Sequence, residues 1–134
     1  MARPPSPDGV RLVVDDTPER VLRRLSIRDD SFIRGVLAAA EDPGTAEPLD
    51  AKTCAMTRIA SLIALDAPST SYLSPVDDAR AAGATEAEVV GCLVGLMPVV
   101  GIPRVVSAAP KLALALGYDV AAALEELGDG RKLR

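Results

Sequence analysis

The sequence predicts an all-α protein, and its composition and turn signals are the main reasons. Its apolar share of 49% consists mainly of Ala, Leu and Val, with only Phe32, Tyr72 and Tyr118 as aromatic residues. Because these side chains are small, the secondary-structure elements that carry them must approach closely to form a core. This favours helices over a β-sandwich. Strand-like alternation occurs only weakly, at 10–14. We therefore expect a compact multi-helix bundle, since 134 residues suit one domain.

Helix start and stop signals divide the chain into successive elements. Thr85-Glu86-Ala87-Glu88 is the sharpest of them, because it matches the capping box in which the Thr and Glu side chains and backbone N–H groups satisfy each other. Pro98 is expected to kink or end the helix that follows, and Pro110 to divide the next one. The expected helices cover about 17–25, 30–42, 51–65, 72–82, 86–98, 103–116 and 119–127.

The predicted organisation is one helical domain with two extensions. Residues 1–16 are rich in proline and charge and are expected to form an N-terminal arm. Residues 17–127 form the single all-helical domain, and 128–134 form a flexible tail.

Charge and hydropathy exclude several classes of partner. The net charge is −4, with no basic stripe and no aromatic residues interleaved with basic ones, so we expect no nucleic-acid binding. The uncharged run Val89–Pro103 has 15 residues, short of the roughly 20 that span a membrane. It is predicted to be a core helix buried by this chain or by neighbouring subunits. Cys54 and Cys92 lie among apolar neighbours, and the N-terminus lacks an apolar signal region, so free thiols and a cytoplasmic location are expected.

Three stretches in a fixed order resemble the carboxymuconolactone decarboxylase and AhpD-like alkylhydroperoxidase superfamily. They are Leu49-Asp50-Ala51-Lys52-Thr53, Gly83-Ala84-Thr85-Glu86-Ala87-Glu88-Val89-Val90, and Gly101-Ile102-Pro103 before an alanine-rich helix. The resemblance covers about 49–119. It implies an AhpD-like helical protomer that assembles into dimers, trimers or hexamers, with an apolar active-site pocket between helices.

The catalytic residues that the resemblance implies are missing. The peroxidase branch uses a Cys-x-x-Cys pair followed by a His, and the decarboxylase branch keeps the His as a proton-transfer group. Counting back from the matched glycine, the two thiol positions fall on Pro68 and Ser71 and the His position on Pro75. The relay Glu falls near Ala55 or Met56, and the chain contains no His. Both family chemistries are therefore predicted to be lost, and the catalytic residues are unknown.

Four remaining side chains are candidate ligand contacts. Ser71 and Tyr72 occupy the turn where the family has its catalytic pair, although a helix cap and a packing residue are the structural alternatives. Arg58 interrupts an apolar helix, and Arg104 lies in a helix's first turn, where a cation opposes the helix dipole and invites an anionic partner. An ion pair with a carboxylate of this chain or of a neighbouring subunit is the alternative for both. We expect no metal ion and no cofactor.

Three functions fit these observations. The first is a family member without the standard catalytic set, an oligomeric scaffold that keeps an apolar pocket for a small ligand. The second is a divergent lyase or isomerase acting on a small hydrophobic or anionic metabolite through Arg58, Ser71 or Arg104. The third is a purely structural interaction subunit with the uncharged run as its interface. Whether the protein is an enzyme stays open at this point.

Overall fold

The computed structural model describes residues 16–42 and 48–118, and every regular element among them is helical. No strand occurs within these described ranges. The predicted N-terminal arm up to residue 15, the predicted helix 119–127 and the predicted tail 128–134 lie outside them. The chain divides into two compact units after Asp50, and each is described by itself. The single domain over 17–127 stays a prediction.

The first unit contains a pair of helices, α1 (Pro18–Ser26) and α2 (Asp30–Ala40). The Thr17 hydroxyl and the Asp29 carboxylate cap their N-termini by accepting backbone N–H groups of the first turn. Phe32 is buried, and the Arg24 guanidinium stacks 5.4 Å from its ring centre. The Asp29 cap lies in the short link between the two helices.

The second unit holds the main core. It comprises α3 (Ala51–Leu65), a 3-10 turn (Ser69–Tyr72), α4 (Leu73–Ala81), α5 (Glu86–Val100) and α6 (Ile102–Leu116). Helix α3 packs on α4 and α5, α5 packs on α6, and α6 packs on the 3-10 turn. Tyr72 is the largest fully buried side chain. The core around it is built from small and aliphatic side chains: Ala55, Ile59, Ile63, Val76, Ala79, Ala84, Val89, Leu93, Val105, Ala108, Leu112 and Leu116.

The capping box predicted at Thr85 is confirmed. The Thr85 hydroxyl accepts the Glu88 N–H at 3.1 Å, and the Glu88 carboxylate accepts the Thr85 N–H at 3.4 Å. Gly83 and Gly117 end α4 and α6 with positive φ. Gly101 alone connects α5 to α6, also with positive φ, at 88°.

Two prolines neither end nor divide their helices. Helix α5 continues through Pro98 to Val100, and α6 continues through Pro110 to Leu116. Each proline removes one hydrogen bond to the carbonyl four residues earlier, on Val94 and Val106. Those two residues are 61% and 64% exposed, so water can satisfy the carbonyls that the prolines leave without a donor.

The predicted helix 72–82 begins later than expected. Residues Ser69–Tyr72 form the 3-10 turn, and α4 starts at Leu73. Within the described ranges, no helix is both long and apolar enough to cross a membrane.

Candidate functional site

The turn between α3 and α4 contains the positions where the resembled family would carry its reactive groups. Pro68 is exposed and precedes the 3-10 turn, and Ser71 is half-buried within it, its N–H donating to the Pro68 carbonyl at 3.0 Å. Pro75 is half-buried in the first turn of α4. Ser71 is not a helix cap, because Tyr72 occupies the N-cap position of α4 and makes no side-chain capping bond. We refer to residues 66–72 as the 66–72 turn.

Asp66 is the polar centre of this turn. Its Oδ1 accepts hydrogen bonds from the Ser107 hydroxyl at 2.7 Å and from the Lys111 ammonium at 3.1 Å. Lys111 also donates to the Ala67 carbonyl at 2.9 Å. The two side-chain hydrogen bonds and the charge of Lys111 hold the pKa of Asp66 below its usual value, and the nearby Arg104 charge lowers it further. The turn is therefore fastened to one face of α6.

The backbone of Asp66 is in the left-handed region, with φ 53°. Its N–H donates to the Ile63 carbonyl at 3.2 Å, and the Ala67 N–H donates to the Leu62 carbonyl at 3.0 Å, which together form a Schellman motif. That position usually carries glycine, because other L-residues meet a steric cost there. Asp66 brings a carboxylate that glycine lacks, and the carboxylate makes the contacts to α6.

The same motif ends α4 and α6, and there the left-handed position does hold a glycine. Gly83 donates to the Arg80 carbonyl and Gly117 to the Leu114 carbonyl, and both have φ near 90°. Arg28 at the end of α1 is the other described non-glycine residue in this conformation, with φ 54°. Asp66 thus differs from Gly83 and Gly117, which hold the same position of the motif, and the contacts of its carboxylate explain the difference.

Tyr72 is the second irregularity at this site. Its side chain is fully buried, and its hydroxyl has no hydrogen-bond partner in the part of the chain that the structure describes. Burial, reinforced by the negative charge of Asp66, raises the pKa of the Tyr72 phenol. A buried hydroxyl without a partner costs roughly 1–3 kcal/mol, so its retention calls for an explanation. We call Asp66, Tyr72, Arg104, Ser107 and Lys111 the Asp66 cluster.

The structure places three of the four predicted ligand contacts in the 66–72 turn or on the helix bound to it. Arg104 lowers the pKa of Asp66, the charge of Asp66 raises the pKa of Tyr72, and Ser71 lies in the same turn. Arg58 is exposed on α3 and is not among the groups that act on the pKa of Asp66. The predicted role of these four residues in ligand binding stays a prediction.

Sequence reasoning missed Asp66, Ser107 and Lys111. One signal was available, because Asp66 directly follows the last residue of an apolar helix, where glycine is typical. A second was the i, i+3, i+7 spacing of Arg104, Ser107 and Lys111 on one helix face. Their contact with Asp66 could not be read from the chain, because it joins residues 45 positions apart.

Two of the stretches that carry the family resemblance meet in the structure. Lys52 forms an ion pair with Glu88, the residue that completes the capping box with Thr85. The hydrogen bond from Lys52, followed by that from the Thr85 backbone, lowers the pKa of Glu88. These motif residues tie α3 to the start of α5, which is a structural role.

A third polar group ties α4 to the end of α6. Arg80 donates to the Leu116 carbonyl at 2.8 Å and to Glu86 at 3.2 Å. The Tyr118 hydroxyl donates to the other Glu86 oxygen, and this hydrogen bond raises the pKa of Tyr118. Arg80 thereby occupies one of the carbonyls left open at the C-terminus of a helix.

Neither cysteine has the surroundings of a reactive thiol. Neither forms a disulfide within the described ranges; Cys54 is buried and Cys92 is half-buried. Burial raises the pKa of Cys92, which keeps its sulfur protonated. A protonated thiol is less nucleophilic than a thiolate. Within the described ranges, no three Cys, Asp or Glu side chains form a group that could hold a metal ion.

Beyond its first turn, from Val89 to Val100, helix α5 carries no charged side chain. Only Val89 and Leu93 of this helix are buried within the chain. Its exposed apolar side chains include Val90, Val94 and Met97, and a Cβ added at Gly91 or Gly95 would meet nothing within 4 Å. We call these five residues the α5 face, and nothing charged lies on it.

Comparisons with known proteins returned no relative for this chain: no family model matches, and no curated protein or solved structure matches significantly.

Proposed function

We propose that this protein is a carboxymuconolactone decarboxylase-like, AhpD-like helical scaffold that binds a small ligand at the 66–72 turn and assembles into homo-oligomers, without the family's chemistry. The observation that carries the proposal is the coincidence of two costly features in one turn. Asp66 occupies a backbone position suited to glycine, and Tyr72 buries a hydroxyl without a partner. Departures of this kind concentrate at functional sites.

The position of this turn supports the family assignment as well as the loss of its chemistry. The thiol and imidazole positions implied by the resemblance, Pro68, Ser71 and Pro75, lie within the turn or one helical turn beyond it. None of these side chains can form a thiolate or gain and lose a proton by titrating near neutral pH. The all-helical architecture and the contact between Lys52 and Glu88 are what a retained framework would require.

Binding is better supported than proton-transfer catalysis. A general acid or base works best when its pKa lies near the working pH. At this turn the pKa of Asp66 is lowered by Ser107 and Lys111, and the pKa of Tyr72 is raised by burial. Both shifts lead away from neutrality, which disfavours the divergent lyase or isomerase.

The α5 face supports self-association. Two-fold assembly brings a surface against its own copy, so an uncharged face contains nothing that repels itself. Gly91 and Gly95 lie four residues apart with open space outside them, which allows a second helix to approach closely. Exposed apolar patches on soluble domains often mark such contacts. A purely structural interaction subunit would use the same face without the ligand site.

The ligand site is tested with a library of small, chemically mixed fragments, screened by thermal unfolding. We expect a subset to raise the melting temperature of the wild-type protein but not that of Tyr72→Phe, which keeps the ring and removes the hydroxyl. Ser31→Ala, an exposed hydroxyl in the first unit, is the matched control and should respond as wild type. If no fragment distinguishes wild type from Tyr72→Phe, the ligand-binding function is wrong.

The missing chemistry is tested separately. Wild-type protein should show neither peroxide-dependent thiol oxidation nor release of carbon dioxide from a lactone acid. Robust turnover in either assay would contradict the proposal.

A further inference from the structure

We propose that the Asp66 cluster binds a small oxyanion. The Tyr72 hydroxyl and the Arg104 guanidinium would contact the anion, and Lys111 would lie beside it. The inference rests on the proposed function, because it specifies the chemical class of the ligand at the same turn.

The charges of the cluster give the first reason. Arg104 and Lys111 supply two positive charges against the single negative charge of Asp66, which leaves one cationic charge in excess. Asp66 already accepts two hydrogen bonds on one oxygen, one of them from Lys111. A cationic ligand would have to compete with Lys111 for this carboxylate, whereas an anion would balance the excess charge.

The position of Arg104 gives the second reason. It lies in the first turn of α6, where helix N–H groups carry partial positive charge and a guanidinium is placed unfavourably. A bound anion would reverse this effect, because it would interact favourably with the helix terminus and the guanidinium together. Arg104 also lies one helical turn before Ser107, which binds Asp66, and its helix packs against the 3-10 turn. Its charge contributes to the lowered pKa of Asp66.

Tyr72 gives the third reason, independent of helix geometry. Its hydroxyl is buried and unpartnered, and the charge of Asp66 acts on it. The raised pKa keeps the phenol protonated at neutral pH, so the hydroxyl is available as a donor. An anionic oxygen is the acceptor that this donor lacks, and a hydrogen bond to a charged acceptor is about twice as strong as a neutral one.

The test uses the full chain with inorganic phosphate in one arm and acetate in the other, and sodium chloride at matched ionic strength as the reference. Binding is measured by titration calorimetry. We expect phosphate, acetate or both to bind wild-type protein, and Tyr72→Phe and Arg104→Gln each to weaken binding by at least about 10-fold. Arg34→Gln, which removes an exposed arginine in the first unit, should bind as wild type.

A second measurement reports on Tyr72 directly. The chain has two tyrosines and no tryptophan, so in Tyr118→Phe the phenolate absorbance comes from Tyr72 alone. A bound anion beside the hydroxyl would raise the pKa of Tyr72 further, so its ionisation should move to higher pH when the oxyanion is added. Chloride at the same ionic strength should leave it unchanged.

Phosphate binding alone would assign the site to phosphate-like anions, acetate binding alone to carboxylates, and both outcomes support the proposal. Binding that is unchanged in Tyr72→Phe, or the absence of binding in both arms, would overturn it. Should neutral fragments still distinguish wild type from Tyr72→Phe in the thermal screen, the proposed ligand-binding function would stand and only the oxyanion assignment would fall.

Discussion

Two residues at the 66–72 turn depart from what stability alone would select. Asp66 adopts a backbone conformation that glycine adopts at the ends of α4 and α6, and Tyr72 buries a hydroxyl that has no partner among the described residues. Neither departure is needed to build the helices. Each places a polar group at the same turn, so the two are best understood together.

Replacing Tyr72 by phenylalanine should stabilise the ligand-free protein. The substitution removes a buried hydroxyl without a partner and keeps the ring that fills the core, and we expect a gain of about 1 kcal/mol in the free energy of unfolding. Urea unfolding of the two proteins in an oxyanion-free buffer measures it. A loss of similar size would show that the hydroxyl is already satisfied in the free protein.

The two left-handed non-glycine residues should respond differently to glycine. Arg28→Gly relieves a backbone cost of about 1 kcal/mol and disturbs only an exposed ion pair with Asp30, so we expect stabilisation. Asp66→Gly relieves the same backbone conformation but also removes the acceptor for Ser107 and Lys111. It should therefore gain less than Arg28→Gly or lose stability. Equal gains in thermal unfolding would show that the Asp66 carboxylate contributes nothing.

At the scale of elements, the local signals of the sequence predicted helices well. The capping box at Thr85, the end of α3 at Leu65 and the stop at Gly117 follow from nearest-neighbour chemistry. Pro98, which was expected to kink or end its helix, does not end it, because the effect of a proline depends on whether water reaches the carbonyl it leaves without a donor. That depends on tertiary exposure, which the local sequence does not specify.

The α5 face gives a prediction about assembly. Val94→Arg places a charge at the centre of the face and should shift the protein toward the monomer, because its own copy would bring a second like charge against it. Leu114→Arg is the matched control, since Leu114 is equally exposed on α6 and lies outside the face. Light scattering measures both variants. A wild-type protein that is a monomer at high concentration would contradict self-association through α5.

At the scale of the whole molecule, three polar contacts join helices that are distant in the chain. Asp66 with Lys111, Lys52 with Glu88, and Arg80 with the Leu116 carbonyl each connect a different pair of helices. The sequence could not reveal these pairings, since many carboxylates and cations lie at similar helical positions. The fold class could be predicted from composition and periodicity, whereas the candidate site depends on long-range contacts.

Acid should weaken the fold through two of these contacts. The pKa values of Asp66 and Glu88 are lowered from 3.8 and 4.5 by their hydrogen bonds, so the unfolded chain binds protons first as the pH falls. Their contribution to stability is present above those values and is lost as the pH falls below them. In urea unfolding followed from neutral pH downward, Asp66→Asn and Glu88→Gln should each flatten the decline. An unchanged slope in both variants would contradict the assignment of these contacts.

The single-residue corner at Gly101 has a consequence for the order in which the chain folds. Helices α5 and α6 meet across one residue, so bringing them together costs little loop-closure entropy. The contact between Asp66 and Lys111, by contrast, must close a span of 45 positions. We expect the α5–α6 hairpin to form early and the 66–72 turn to be ordered late, since contacts between near neighbours in sequence are reached fastest. The ligand site of the folding chain would then be completed only after α5 and α6 have packed together across Gly101.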